Sequence, residues 1–336
     1  MRLWSVPAGT LTTNPTLHSV FKTDSGVSFV TLGPESTKTV FMRIFVLLMS
    51  LLVASSCKLA VPNVALAQFS SDPTATPVSP GQIDEVSGMV DSRSQPGNLW
   101  IQQDSGTPAE LALLGYDGQV KGKLVVPNST NRDWEELAMG PGPQAGVNYL
   151  YIGDIGDNNG QNQTNQIYRL PEPANLQTPI SQVERINFRF PDGPRDAEAM
   201  FVDPQTKDIY IISKRETNVR LYRLAYPQNS NEVTVAQAYG ELPTLGQGLP
   251  GYVTGAAISP DGNEIVVRTY AGIFYWKRSA GQSIADALQQ GTGRQLPYRL
   301  EPQGEAICFD KENKGYFTLS EKASASSVTL NYYARK

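Results

Sequence analysis

Three observations predict that this 336-residue chain is all-β, a β-propeller of five four-stranded blades. A short motif, one polar residue ahead of a small or apolar run, occurs five times. Each copy is followed, one turn later, by an aromatic-rich strand. The stretches between copies hold further strand-like runs punctuated by Gln95-Pro96-Gly97-Asn98, Asp117-Gly118 and Pro260-Asp261-Gly262-Asn263, the residues that tight turns demand. A unit of four short strands repeated at this period is a propeller blade. A sixth blade would require that 68–84 and the longer inter-strand segments hide one. A β-sandwich would not repeat one motif about every 55 residues.

The fullest copy is Arg195-Asp196-Ala197-Glu198-Ala199-Met200-Phe201-Val202-Asp203. Asp133-Trp134-Glu135-Glu136-Leu137-Ala138 precedes it and Gly304-Glu305-Ala306-Ile307-Cys308-Phe309-Asp310 follows it. Glu85–Asp91 and Tyr252–Ile258 are looser copies. Aligning Ser87, Glu136, Glu198, Thr254 and Glu305 gives spacings of 49, 62, 56 and 51 residues.

Taken in order, the first unit reads as strands over 86–91, from Leu99, over 111–116 and over 119–126. The second has 136–139, 149–152, 166–170 and 183–190, with an oxygen-rich loop over 153–162. The third has 199–202, 209–213, 220–224 and 233–238. The fourth has 255–259, 265–269 and 273–277, then a small helix over 283–290 with Ser283 as N-cap and Gly291 as its stop, then a strand near 295–300. The fifth has 306–309, 316–320 and 328–333. Its missing fourth strand is expected from residues 70–84, which would close the ring.

The N-terminal part reads as a targeting segment. Residues 1–41 are polar and unpatterned, so that translation is expected to start at Met42. Residues 42–67 have a short positive start, an apolar run and Ala65-Leu66-Ala67 ahead of Gln68, the pattern of a cleaved secretory signal. That run is too short for a bilayer span, which needs about 20 residues. A secreted or periplasmic protein is the expectation. Cys57 offers a lipoprotein alternative, but the usual Leu three residues earlier is absent. Residues 68–82, rich in Ser, Thr and Pro, read as a linker to a propeller domain over 83–336.

Without residues 1–67 the body has 23 basic and 30 acidic residues. A net charge of −7 with no basic run argues against a nucleic-acid partner. The only histidine, His18, lies ahead of the signal, and Cys308 is the one cysteine of the body. No disulfide framework can form, and zinc, copper and haem sites lose their usual ligands. Ser-His and Cys-His nucleophiles are excluded from the processed body. Any chemistry falls to carboxylates, Lys, Arg, Tyr or a hard cation. Cys308, in an apolar run, reads as a buried core thiol.

The first strand of each blade lines the central channel, and the strand period of two puts residues i and i+2 on one face. Glu85 and Ser87, Trp134 and Glu136, Asp196 and Glu198, Tyr252 and Thr254, Gln303 and Glu305 are then expected as a ring near one mouth. The far ends of the second strands bring Asp104, Asp154, Asp157, Lys214, Arg215, Arg268, Glu321 and Lys322 to that mouth. Glu136, Glu198 and Glu305 are the candidate catalytic carboxylates. Glu85, Trp134, Asp196, Lys214, Arg215 and Arg268 are candidate ligand contacts, and Asp154 and Asp157 candidate metal ligands. The competing reading is structural: such residues often bond neighbouring backbone and hold blades together. Converging carboxylates need compensation, and calcium accepts carboxylates and carbonyls without His or Cys. Tyr151, Tyr168, Tyr210, Tyr222 and Trp276 are expected in the core between blades.

Glu85-Val86-Ser87-Gly88, Pro96-Gly97-Asn98-Leu99-Trp100, Asp133–Ala138 with Tyr151-Ile152-Gly153-Asp154-Ile155-Gly156-Asp157-Asn158, and Asp196-Ala197-Glu198-Ala199 together resemble a group of exported bacterial β-propellers. The likeness covers roughly 83–325. More distantly the chain looks like phytase-like and esterase-like propellers, whose calcium-dependent members bind phosphate with carboxylates, Lys and Arg on one face. The resemblance implies two functions: binding of a small anionic ligand or an extracytoplasmic protein at the acidic mouth, or calcium-dependent hydrolysis of phosphate esters by a metal-activated water. No phytase active site matches residue by residue.

Overall fold

A computed structural model describes residues 22–23, 26–27, 68–242, 245, 248, 251–291 and 293–336. The chain divides into two units, Met1–Ala65 and Leu66–Lys336. In the first, Lys22–Thr23 (β1) pairs antiparallel with Gly26–Val27 (β2). The expected leader over 42–67, with Cys57, and His18 lie outside the described residues.

The second unit is a five-bladed β-propeller. Its first strand, β3 (Thr74–Pro77), belongs to the last blade. Blade 1 is β4 (Val86–Asp91), β5 (Asn98–Gln103), β6 (Glu110–Gly115) and β7 (Val120–Val125). Blade 2 is β8 (Trp134–Pro141), β9 (Asn148–Asp154), β10 (Asn165–Pro171) and β11 (Glu184–Arg189). Blade 3 is β12 (Ala197–Val202), β13 (Ile209–Ser213) and β14 (Val219–Leu224). After β15 (Thr234–Val235) it is completed by β16 (Gln237–Leu242). Blade 4 is β17 (Val253–Ile258), β18 (Glu264–Thr269), β19 (Gly272–Lys277) and, after the short helix α1 (Ile284–Gln289), β20 (Arg294–Gln295). Blade 5 is β21 (Gln303–Phe309), β22 (Gly315–Glu321), β23 (Thr329–Ala334) and β3.

The inner strands β4, β8, β12, β17 and β21 pack side by side in a closed ring. Strands covered on both faces read as continuous apolar runs rather than alternating ones. Accordingly β4 and β12 are buried at every position, whereas the outer strand β7 exposes Lys121, Lys123 and Val125. The ring is narrow. The cavity among Met89, Leu137, Phe201, Ala256 and Cys308 holds only about 40 Å³, little more than one water's share of liquid volume, about 30 Å³. The axis is therefore packed rather than open. Tyr151, Tyr168, Tyr210, Tyr222 and Trp276 lie buried in the core, as expected. Burial also pushes the Cys308 thiol well above its ordinary range, so it is an inert core group.

Two outer strands differ from the sequence expectation. The run 233–238 splits: β15 pairs parallel with β11 of blade 2 before the chain enters blade 3 as β16. The Ala236 amide, donating to the Arg189 carbonyl at 3.0 Å, holds that detour. Blade 4 ends in the two-residue β20 rather than a strand over 295–300. The helix forms as expected, Ser283 Oγ accepting from the Asp286 amide at 3.0 Å.

The segment 68–82 is built into the ring. β3 pairs antiparallel with β23, Thr329 opposite Pro77 and Tyr332 opposite Thr74. Phe69 bridges to Arg335 and meets Tyr316 edge-on at 4.9 Å and Tyr275 at 6.3 Å. Full truncation of a buried Phe typically costs about 3–5 kcal/mol. Phe69→Ala is expected to lower unfolding free energy by about that amount in urea titration, and a loss under ~1 kcal/mol would mean the seam is not structural.

Candidate functional site at one mouth of the ring

Every inner strand carries a β-bulge at the same place. One residue of the second strand faces two of the first across Val86/Gly88, Trp134/Glu136, Ala197/Ala199, Val253/Gly255 and Gly304/Ala306. The extra residues are Ser87, Glu135, Glu198, Thr254 and Glu305. A bulge bends its strand and re-aims a side chain. Here it turns five polar side chains toward one mouth.

This register corrects the alignment by one residue in blade 2. Glu135, not Glu136, is the counterpart of Glu198 and Glu305. Glu136 matches Gly88, Ala199, Gly255 and Ala306, and its fully buried side chain crosses the axis. Its carboxylate accepts from the Ala256 amide of blade 4 at 2.8 Å and the Leu137 amide at 3.1 Å. The small residues opposite make room: a Cβ on Gly88 would come within 2.2 Å of the Leu137 nitrogen. Burial raises the Glu136 pKa well above the carboxylate range against the pull of those amides. Glu136 is thus a cross-axis tie beneath the mouth.

Above it the carboxylates converge. Glu135, Asp196 and Glu198 each place an oxygen within 4.8 Å of the others, and so do Asp104, Asp133 and Glu135. Glu135 belongs to both sets. Glu135, Asp196 and Glu198 are about 4% exposed or less. Ser87 Oγ links blades by donating to Glu305 at 3.1 Å and Glu135 at 3.4 Å. Lys214 donates to Glu198 and lies 3.2 Å from Tyr270 Oη, which is 3.2 Å from Glu305. Gln303 donates to Glu305 at 3.3 Å and to Glu321. One oxygen each of Glu198 and Glu321 is buried without a hydrogen-bond partner.

In the oxygen-rich loop both expected metal ligands are engaged by nearby protein groups. Asp157 turns back to accept from the Gln161 and Asn162 amides at 2.8 and 2.7 Å. Asp154 is held by Gln166, the Asp133 amide and Arg132. At Gly156, however, a Cβ would lie 2.4 Å from both Asp133 Oδ2 and Glu135 Oε1. The carboxylates approach because that position is bare backbone.

The remaining expected residues divide. Arg215 reaches the mouth, pairing with Asp196 and Asn158 while its side chain stays 39% exposed. Glu85 lies exposed at the rim. Trp134 does not face the mouth: it is fully buried, its Nε1 donating to the Thr130 carbonyl at 2.9 Å. Arg268 does not reach the mouth either. Fully buried, it pairs with Glu301 and donates to the Ala306 and Leu319 carbonyls, tying blade 4 to blade 5. Asp133 and Glu135 were missed as site residues, although a signal was present. Asp133-Trp134-Glu135 and Asp196-Ala197-Glu198 share an Asp-x-Glu spacing that aligns them directly.

Electrostatics follow from this crowding. Burial first, then the charges of Glu198, Asp104 and Glu305, raise the Glu135 pKa far above normal. Burial likewise raises Glu198, with Lys214 pulling the other way. Asp133 is pushed up to about 6 by burial and Asp104, and Glu321 to about 9 by burial and Glu305. A carboxyl whose native pKa exceeds its unfolded value holds a proton the unfolded chain has released. Stability therefore falls as pH rises from the unfolded pKa to the folded one. In EDTA the melting temperature is expected to decline from 3.8 to about 6 through Asp133 and from 4.5 to about 9 through Glu321. A melting temperature that rises over pH 5–9 would contradict this charge arrangement.

Glu136 offers a separate check. Glu136→Gln can accept through only one oxygen, leaving an amide unsatisfied at a cost of about 1–3 kcal/mol in denaturant titration.

No family model matches this chain, and no curated protein matches it. Among solved structures it is similar to Kuenenia stuttgartiensis hydrazine synthase, at 11% identity over 74% of this chain and 96% of that chain, with a TM-score of 0.37. The propeller assignment rests on the sheet topology itself.

Proposed function

We propose that the chain is an exported calcium-binding propeller whose acidic mouth uses the ion to hold a small anionic ligand. The observation that carries this reading is the pair of carboxylate triads sharing Glu135, with one oxygen of the buried Glu198 left unpartnered among them. Crowded carboxylates must be neutralised by protons or by a cation. A hard cation bound by oxygen ligands suits a site with no His or Cys, and calcium's six to eight flexible ligands suit an irregular set better than magnesium's strict octahedron. Glu135, Asp196, Glu198, Asp104 and Asp133 would supply the protein oxygens. A carboxylate or phosphate of the ligand would complete the coordination, with the half-exposed Arg215 beside it.

Hydrolysis of phosphate esters is less well supported. Of the three cations expected to grip such a substrate, Arg268 is buried between blades and Lys214 is engaged by Glu198. Only Arg215 is substantially open to solvent.

The test is thermal melting in calcium chloride against EDTA, followed by calorimetric titration of calcium. At free calcium about 100-fold above Kd, binding adds about 2.7 kcal/mol of stability. Glu135→Gln/Glu198→Gln is expected to abolish the shift. Gly156→Ala should weaken it by at least ~10-fold, because its methyl occupies the space of two ligand oxygens. Absence of any shift in the unmodified chain, or full calcium affinity in the double variant, would remove the mouth as a cation site. Turnover of a phosphoester panel by the calcium-loaded protein would restore the hydrolase reading.

A further inference from the structure

A second site lies at the other end of the inner strands, where blades 1 and 5 meet along the closure seam. A cavity of about 440 Å³ opens there, bounded by β3, the β4–β5 turn and the β21–β22 turn. That volume falls within the range of small-molecule pockets, about 300–1,000 Å³. Tyr116, Phe317 and Tyr332 line one wall. Their ring centroids are 4.8 and 4.6 Å apart in sequence, with successive planes tilted by 42° and 40°.

Two buried carboxylates, Asp91 and Asp310, line the same cavity. Tyr116 Oη donates to Asp91 at 2.7 Å and Tyr332 Oη donates to Asp310 at 2.8 Å. Backbone amides fix both carboxylates: Lys311 N reaches Asp91 at 2.7 Å, and Glu312 N and Lys314 N reach Asp310 at 2.8 and 3.1 Å. Asp91 is 3% exposed and Asp310 6%. A phenol donating to a carboxylate carries a more electron-rich ring, and its face attracts cations more strongly. Three aromatic rings along one wall, with two carboxylates beside them, have the chemistry of a quaternary-ammonium site. Both oxygens of Asp91 and of Asp310 are already engaged by amides or phenols, which leaves a primary ammonium short of acceptors there, whereas methyl groups bury well against the rings.

The rim also carries two lysines, with Glu312 between them in sequence. Lys311 and Lys314 both line the cavity, and Lys314 holds only Glu312, an exposed pair whose side chains are 74% and 56% open. Such a pair contributes little and is readily exchanged for a ligand anion. We infer that this seam pocket binds a small zwitterion, its quaternary ammonium on Tyr116, Phe317 and Tyr332 and its acidic end on Lys311 or Lys314. Binding would also clamp β3, the strand that closes the ring, so occupancy should be visible as stabilisation.

The probes are trimethylglycine, choline and glycine, titrated calorimetrically and by thermal melting into the chain held in EDTA. Trimethylglycine is expected to bind and raise the melting temperature, choline to bind more weakly for want of the acid, and glycine not to bind. Tyr332→Ala should lose about tenfold in affinity, one desolvated cation–π contact, while Tyr332→Phe keeps most of it. Lys311→Gln/Lys314→Gln should weaken trimethylglycine and leave choline unchanged, which separates tail recognition from a folding defect. Glu135→Gln/Glu198→Gln, at the far mouth, should leave trimethylglycine affinity intact. Glycine binding as tightly as trimethylglycine, no heat with trimethylglycine, unchanged affinity in Tyr332→Ala, or binding of a neutral sugar in place of the zwitterion would each overturn the proposal.

Discussion

The bulge near the start of every inner strand is the constraint on which the rest of this molecule depends. An ordinary strand directs alternate residues to opposite faces, and a tightly packed five-membered ring has no room for large side chains along its axis. The extra residue resolves this conflict at one level of the ring. It lets five polar side chains leave the core at one mouth, while the residues after them stay small enough for backbones to meet. Glu136 is the exception that uses the freed space, reaching from blade 2 to the blade 4 backbone. The mouth above and the closed axis below are consequences of one repeated distortion.

Much of the architecture was legible in the sequence because propeller blades repeat their physics. The turn residues, the aromatic second strands and the small-residue runs each recur at blade spacing, and the use of an N-terminal strand in blade 5 followed from counting strands. The site was less legible, for a definite reason. Parity arguments assume a regular strand, and a single added residue inverts them. That is why Trp134 and Glu136 were expected at the mouth, where the structure puts Asp133 and Glu135. Burial misled in another way. Arg268 occupies a strand position like that of a rim residue, and nothing in its neighbours signals that Glu301, 33 residues further on and just ahead of blade 5, returns to hold it in the core.

The two ends of the ring differ in how they manage charge. At the mouth, carboxylates crowd together and only Lys214 and Arg215 answer them, so burial and repulsion act in the same direction. At the seam, each buried carboxylate is engaged on both oxygens by backbone amides and a phenol. The same residue type is therefore left crowded at one end and fully engaged at the other. The number of donors around each carboxylate decides which.

The pairing of β3 with β23 has a further consequence. Residues 74–77 and 329–332 are the most distant in sequence of all the strand partners in the second unit, and contacts of such separation are slow to form because a long loop must close first. As the chain is made, β3 emerges before every blade and waits unpaired until β23 follows, and an unpaired strand edge invites pairing with other chains. The final stitch, Lys336 N to the Gln68 carbonyl at 2.8 Å, brings the two ends of the ring side by side. A ring whose ends lie side by side could be joined at this seam and opened between other blades without changing its sheets.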